Sequence, residues 1–403
     1  MKKVCGLDVH KDSIFCAIYN GEKYSEVKEY ETTTISIYSM GEYLQFENVT
    51  EVAMESTGIY WTAVWDLLLE MGFTLTLVNP FLIKQMPGRK SDAKDAQWIA
   101  ELLYKGMLRS SFVPPPLIQE LRVYSRKYIK LQQQVTRVLV GMDNILIKCG
   151  IRASSCLSRI TTKSYMLIVE ALINGYCDPD YLTGLVYGNT KNKRSGKLKE
   201  ALTGNVKEHH RQQLAWAKDE YDMYQKQITD CLQAMKRICD AHFSLAVKLL
   251  QTLPGVSQLA AMIIIAETGG DMSVFENSGK ITGWTGLRPR NDESAGKYKS
   301  TATTKGNKYL RSILVQCAWA ASRMKGSYFK DKFSKMAMRK PRKKALICIA
   351  RKLLVVIWNV LTYSVAYNPK LVHVYDPVKV KARMAYYKKE YEKTADLLNM
   401  KVE

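Results

Sequence analysis

An acid stands inside the first apolar strand of this chain. The run Val4-Cys5-Gly6-Leu7-Asp8-Val9 has the composition of a buried strand, and Asp8 interrupts it. An ionised carboxylate in such a place is costly unless it is paired or holds a metal. The pattern recurs, because Glu55 ends the short apolar strand that begins at Thr50, just before a helix. Asp92 and Asp95 lie three residues apart at the start of a further helix, hence on one face of it. The helix N-terminus favours their charge.

The order of elements around these acids narrows the fold. Residues 4–9 and 13–19 are strand candidates, Asn20-Gly21 is a strong two-residue hairpin signal, and residues 23–30 make an expected third antiparallel strand. A helix over 33–46, a strand over 50–55, a helix over 58–71 and a strand over 73–78 follow. Ser91 is placed to cap a helix running to about residue 106. Three antiparallel strands followed by α-β-α-β-α is the layout of an RNase H-like domain. There the first and fourth strands lie side by side and the last helix crosses nearby, so the four carboxylates converge. Divalent cations relieve such repulsion, typically as a pair about 3.5–4 Å apart that clamps phosphate oxygens. Hard oxygen ligands and a phosphate substrate suit Mg²⁺ or Mn²⁺. Pro114 to Pro116 end the domain.

Beyond the prolines the period changes. Leu117, Leu121, Tyr124, Tyr128, Leu131, Val135, Val138, Met142 and Ile145 form a heptad seam, and a second runs through Leu214, Ala217, Tyr221, Tyr224, Ile228, Cys231, Met235 and Ile238. Two long helices with matching seams should pair, with each other or with another subunit. Between them, residues 150–205 are helical in patches, and the polar stretch 188–197 has the composition of an exposed loop. Leu253-Pro254-Gly255-Val256-Ser257 is either a plain inter-helix turn or a helix-hairpin-helix turn, whose backbone N–H groups hold a DNA phosphate. A loop rich in Gly, Ser, Thr and Lys is expected over 284–307, then basic helices to about residue 368 and a charged tail. The fold class is therefore α/β plus α. It comprises an RNase H-like region over 1–115, long coiled-coil helices over 116–241 with an insertion near 150–205, and a mainly helical region over 242–403.

Charge points to the partner. The formal net charge is +22 over 403 residues, which attracts polyanions. It is unevenly placed: residues 1–100 hold nine Lys or Arg against fourteen Asp or Glu, whereas 297–352 hold seventeen basic residues against Asp331 alone. An acidic catalytic head joined to a basic nucleic-acid grip is the expected design. Nine cysteines in no C-x-x-C pair fit reduced thiols in a cytoplasmic protein, and none of the five histidines falls in a metal-ligand spacing. The longest apolar stretch, 353–367, is broken by Asn359, Thr362 and Ser364, so no membrane partner is expected.

Several motifs carry a resemblance. Gly6-Leu7-Asp8-Val9-His10-Lys11, Met54-Glu55-Ser56-Thr57-Gly58-Ile59-Tyr60-Trp61 and Lys90-Ser91-Asp92-Ala93-Lys94-Asp95-Ala96 resemble the three DEDD motifs of insertion-sequence family 110 transposases. Leu253-Pro254-Gly255-Val256, Gly283-Trp284-Thr285-Gly286-Leu287-Arg288-Pro289, Ser294-Ala295-Gly296-Lys297 and Lys305-Gly306-Asn307-Lys308-Tyr309-Leu310-Arg311 resemble that family's second domain. The resemblance implies a RuvC-type RNase H-like domain, a coiled coil and a transposase domain with a catalytic serine, whose position Ser294 occupies. It also implies recombination through a covalent phosphoserine, a structured guide RNA from the element's ends, and a tetramer built from dimers. Taken on its residues alone, the loop ranks Ser294 no higher than Ser300. The basic and polar residues around it, Arg288, Arg290, Lys297, Lys299, Lys305, Asn307, Lys308 and Arg311, are the expected nucleic-acid contacts. The alternative is an RNase H-like Holliday-junction resolvase or nuclease that cleaves with metal-activated water and needs the four acids but not Ser294.

Overall fold

The computed structural model describes residues 2–399 except 57, 80–91, 109, 291, 295–296, 301 and 370–376. Over 189–195, 292–294, 297–299, 377–380, 382–383 and 397–399 it describes the backbone alone. The chain divides into two compact units, Met1–Pro114 and Pro115–Glu403, at the run of prolines.

The first unit is built on a five-stranded sheet of order β3-β2-β1-β4-β5, with β1 Val4–Val9, β2 Ser13–Tyr19, β3 Lys28–Glu31, β4 Glu51–Glu55 and β5 Thr74–Val78. The first three strands are antiparallel neighbours, and β4 runs parallel to both β1 and β5. Helices α1 Thr34–Phe46, α2 Trp61–Glu70 and α3 Asp92–Tyr104 complete the RNase H-like domain. Strand alternation sorts β1 between two cores. Cys5, Leu7 and Val9 pack with Met40, Leu44 and Leu68 of α1 and α2, while Val4 packs with Ile99 and Ala100 of α3. Thr33 caps α1 as its position suggests; Ser91 lies outside the described residues.

The third strand begins later than the expected 23–30. Asn20 Oδ1 accepts the N–H groups of Glu22 and Lys23, and Ser25 Oγ accepts that of Ile18. Side chains thus take the donors that a longer ladder would have used, leaving only an isolated bridge between Tyr19 and Tyr24.

The second unit is helical. Its two long members, α4 Pro116–Lys148 and α9 Glu208–His242, pack against each other within the chain, which is the intramolecular one of the two pairings open to their seams. The buried face of α4 is wider than its seam, because Ile118, Leu139 and Leu146 are buried as well. The insertion supplies the cover for the last two: α5 Ala153–Cys156, α6 Lys163–Ile173, α7 Pro179–Gly184 and α8 Asn189–Leu202 share one core with α4 and α9. The stretch expected as an exposed loop at 188–197 is a correction, since it forms most of α8. Its polar composition misled. Leu198 and Leu202, four residues apart on one face and fully buried, anchor the helix to that core.

Among the described residues the remaining helices are α10 Ser244–Gln251, α11 Gln258–Thr268, α12 Ser278–Trp284, α13 Lys308–Ala321, α14 Tyr328–Ala337, α15 Arg342–Tyr363 and α16 Pro377–Asn399. Between α12 and α13 the expected loop contains a two-stranded hairpin, β6 Asp292–Ser294 and β7 Lys297–Ser300. The turn at Gly255 packs on α13, where a Cβ would stand 2.5 Å from the carbonyl oxygen of Cys317. Ser257 caps α11 itself by accepting from Ala260 N. Helix α15 is long and apolar enough to cross a membrane by length and composition, yet Ala345, Ile349, Leu353, Leu354 and Ile357 are buried in the protein core. All nine cysteines are free.

Candidate active site

The acids are assembled by one strand pair and one helix crossing. Leu7 pairs with Met54 across the parallel β1–β4 ladder, so Asp8 and Glu55 occupy the next rung together. Asp8 shares a sheet face with Gly6 and Val4, the face that α3 covers. Gly6 lets the helix descend: a Cβ there would lie 2.2 Å from Ala96 O and 2.4 Å from Ala100 N. The first turn of α3, which carries Asp92 and Asp95, is thereby set over the end of β1.

Asp8 and Glu55 are buried, Asp95 is half-buried and Asp92 is exposed. Burial pushes the Asp8 carboxyl up to about 6; His10 pulls it down, and the negative charges of Glu55, Asp95 and Asp92 push it up again. The structure thus brings Glu55, Asp92 and Asp95 within electrostatic reach of Asp8. His10 is the neighbour that sequence reasoning passed over. Its Nε2 lies 3.2 Å from Asp8 Oδ2 and 3.6 Å from Asp92 Oδ1, and ligand atoms of Asp8, His10 and Asp92 all fall within 4.8 Å of one another. The signal was its place two residues after Asp8 on the same alternating face, and not any His–His spacing. Carboxylate oxygens of Asp8 and Asp92 gathered with the His10 imidazole, beside an Asp8 whose pKa is raised, fit a divalent cation, whereas Glu55 and Asp95 are not part of that close group.

The second set of expected residues surrounds the hairpin in the other unit. Ser294 stands opposite Lys297 in its last register pair, and residues 295–296 at the tip lie outside the described residues. So do the side chains of Ser294, Lys297 and Lys299. Below the tip, Arg290 N donates to Ala302 O and Thr304 N to Arg288 O, and Pro289 bridges Thr303. Arg288, Arg290, Lys305 and Lys308 are exposed and Arg311 is half-buried. Asn307 has both side-chain atoms engaged inside the protein. Its Oδ1 accepts from Tyr309 N and Leu310 N, and its Nδ2 donates to Glu267 Oε2 at 2.6 Å.

Comparison with known proteins agrees over both units. The DEDD transposase model of IS110 elements matches residues 5–149, and the model of the IS116/IS110/IS902 transposase family matches residues 247–334, together more than half of the chain. The transposase for insertion sequence element IS1111A of Coxiella burnetii is 23% identical over 387 residues, covering 91% of each chain. A "Probable family 20 transposase" of Pseudomonas aeruginosa is 23% identical over 329 residues, 79% of this chain and 86% of its own. Among solved structures, RuvC of Thermus thermophilus in complex with a Holliday junction substrate aligns at a TM-score of 0.22 and 15% identity, covering 28% of this chain and 100% of its own. With the two family models matched in order, the chain belongs to the IS116/IS110/IS902 family of transposases, enzymes that act on DNA.

Proposed function

We propose that this transposase cuts and rejoins DNA at the ends of its insertion sequence, with a divalent cation held by Asp8, Glu55, Asp92 and Asp95 and with Ser294 as nucleophile. The gathering of three acids, Glu55, Asp92 and Asp95, around the buried Asp8 carries the metal half of the reading, because such a cluster is stabilised by a bound Mg²⁺ or Mn²⁺. When bound, the cation neutralises the carboxylates and polarises the phosphodiester. The chain's own residues do the rest. The Ser294 hydroxyl gives up its proton as its oxygen forms a bond to phosphorus, the bond from phosphorus to the deoxyribose oxygen breaks, and the departing oxygen takes up a proton, so that none is gained or lost overall. Arg290 and Lys297, close to Ser294 in the chain, supply positive charge for the developing phosphorane. The phosphoserine conserves the energy of the broken bond, so strands exchange and reseal without ATP. Water in that role would release it, which suits a nuclease.

The basic helices support a nucleic-acid partner beyond the DNA being cut, and we take it to be a structured RNA encoded by the element. Val123, Val140, Trp216 and Met223 are large and exposed on α4 and α9, which supports association of the helix pair into a homo-oligomer, a tetramer by family resemblance, with the acids of one subunit completing the serine site of another. The setting is cytoplasmic. In the test, Asp8→Asn abolishes cleavage while the protein still folds and binds nucleic acid. Full activity in EDTA would refute the metal assignment.

A further inference from the structure

Glu267 is the penultimate residue of α11; the eight residues before it, Leu259 to Ala266, are all apolar, and it is fully buried. A carboxylate at a helix C-terminus meets the negative end of the helix dipole, so something must compensate. Arg126 of α4 does so with two parallel bonds, Nε to Oε1 and Nη2 to Oε2, both 2.9 Å. Arg122 donates to the terminal carbonyls of Ala266 and Glu267 at 3.0 and 2.8 Å. Asn307 supplies the last bond at 2.6 Å, and Tyr309 lies against the Arg126 guanidinium, 4.7 Å to its ring centre. A buried ion pair is poor evidence of stabilisation, since apolar replacements often match it. What it does supply is direction, because every donor in the fork has one place to be.

The direction is passed to the hairpin. Asn307 N donates to Trp284 O, and the preceding Gly306 touches the other strand of the neck backbone to backbone: a Cβ there would stand 2.4 Å from Gly286 N. Gly286 in turn holds φ +75° beneath Thr304 and Gly306. Fixing Asn307 therefore fixes both strands at the point where residues 287–305 leave the helical core. We infer that Glu267 is a positioning residue for this hairpin, acting through Asn307 to aim the segment that carries Ser294. The catalytic part of the inference rests on the Ser294 reading above; the structural part does not.

The test is hydrogen exchange on the full chain, coupled to the rate of protein–DNA adduct formation on a duplex bearing the element end with its RNA. Asn307→Ser keeps a helix cap but withdraws the amide from Glu267. Its neck amides at Arg290 and Thr304 should exchange roughly tenfold faster while α11 and α15 stay protected. Adduct formation should slow by about tenfold or more, as small displacements of a reacting group do. Glu267→Gln should do the same. Combining Glu267→Gln with Asn307→Asp should restore both readouts, because the introduced carboxylate then accepts from the glutamine, still caps α13 and returns a negative charge to Arg126. Unchanged neck protection, protection lost evenly across the helical core, an unchanged adduct rate, or no recovery in the double variant would each overturn the inference. An adduct that persists in Ser294→Ala sinks the Ser294 reading instead, and leaves the exchange result standing.

Discussion

Gly6 and Ala96 are in backbone contact, so close that a methyl group on Gly6 would stand 2.2 Å from the Ala96 carbonyl oxygen. The atoms in the way are helix backbone, which cannot swing aside as a side chain would. Gly6→Ala should therefore lift or tilt α3, with an overpacking cost of about 1–3 kcal/mol. Asp92 and Asp95 ride on the first turn of that helix. We expect a folded protein with a lowered unfolding midpoint and a catalytic loss far beyond what the midpoint explains. Calorimetry and a DNA cleavage assay on one preparation check this; near-normal cleavage would mean that the helix height does not matter to the acids.

The Asp8 carboxyl, raised from 3.8 to about 6 by burial and by the facing acids, makes stability fall as pH rises. The folded state holds a proton that the unfolded state releases between those values, so the stabilisation is complete below about 4 and is lost as pH climbs through 6. Without divalent cation, Asp8→Asn should be more stable than the parent at pH 7.5, by on the order of 3 kcal/mol. The gap should close toward pH 4. Mg²⁺ should stabilise the parent and do little for the variant. Denaturant unfolding of the two proteins across pH, in EDTA and in Mg²⁺, gives the comparison, and parallel pH profiles would contradict it.

The parts of this architecture that were legible beforehand were those where one residue breaks a strong local pattern. Asp8 inside an apolar strand and the Asp92/Asp95 spacing announced the acidic cluster, and strand order announced that they would meet. The same logic applied to Glu267 after eight apolar residues, but its partners, Arg126 and Asn307, lie 141 and 40 positions away and leave no local trace. His10 was missed because its ligand partners come from a neighbouring strand position and a distant helix, which no His spacing records. The helix Asn189–Leu202 was hidden for another reason. Its polar first turns carry loop composition, and only burial of Leu198 and Leu202 in a core built by other segments decides the outcome.

Exposed cations at Arg288, Arg290, Lys305 and Lys308 should act mainly on phosphates. Replacing Lys305 and Lys308 by Gln should weaken binding to unrelated DNA and RNA sequences alike. It should also lower the slope of log affinity against log salt by roughly two. Fluorescence anisotropy at several salt concentrations measures both; an unchanged slope would place these side chains away from the phosphates.

The most direct measurement is of the covalent intermediate itself. Protein, RNA and a DNA duplex carrying the element end are mixed with Mg²⁺, the reaction is stopped in denaturant, and the digested adduct is mapped by mass spectrometry. A nucleotide joined through phosphate to the peptide containing Ser294, absent from Ser294→Ala and from EDTA-treated samples, is the predicted result. A nucleotide on Ser300, or cleaved DNA with a free phosphate end and no adduct at all, would contradict it and leave the four acids working with water.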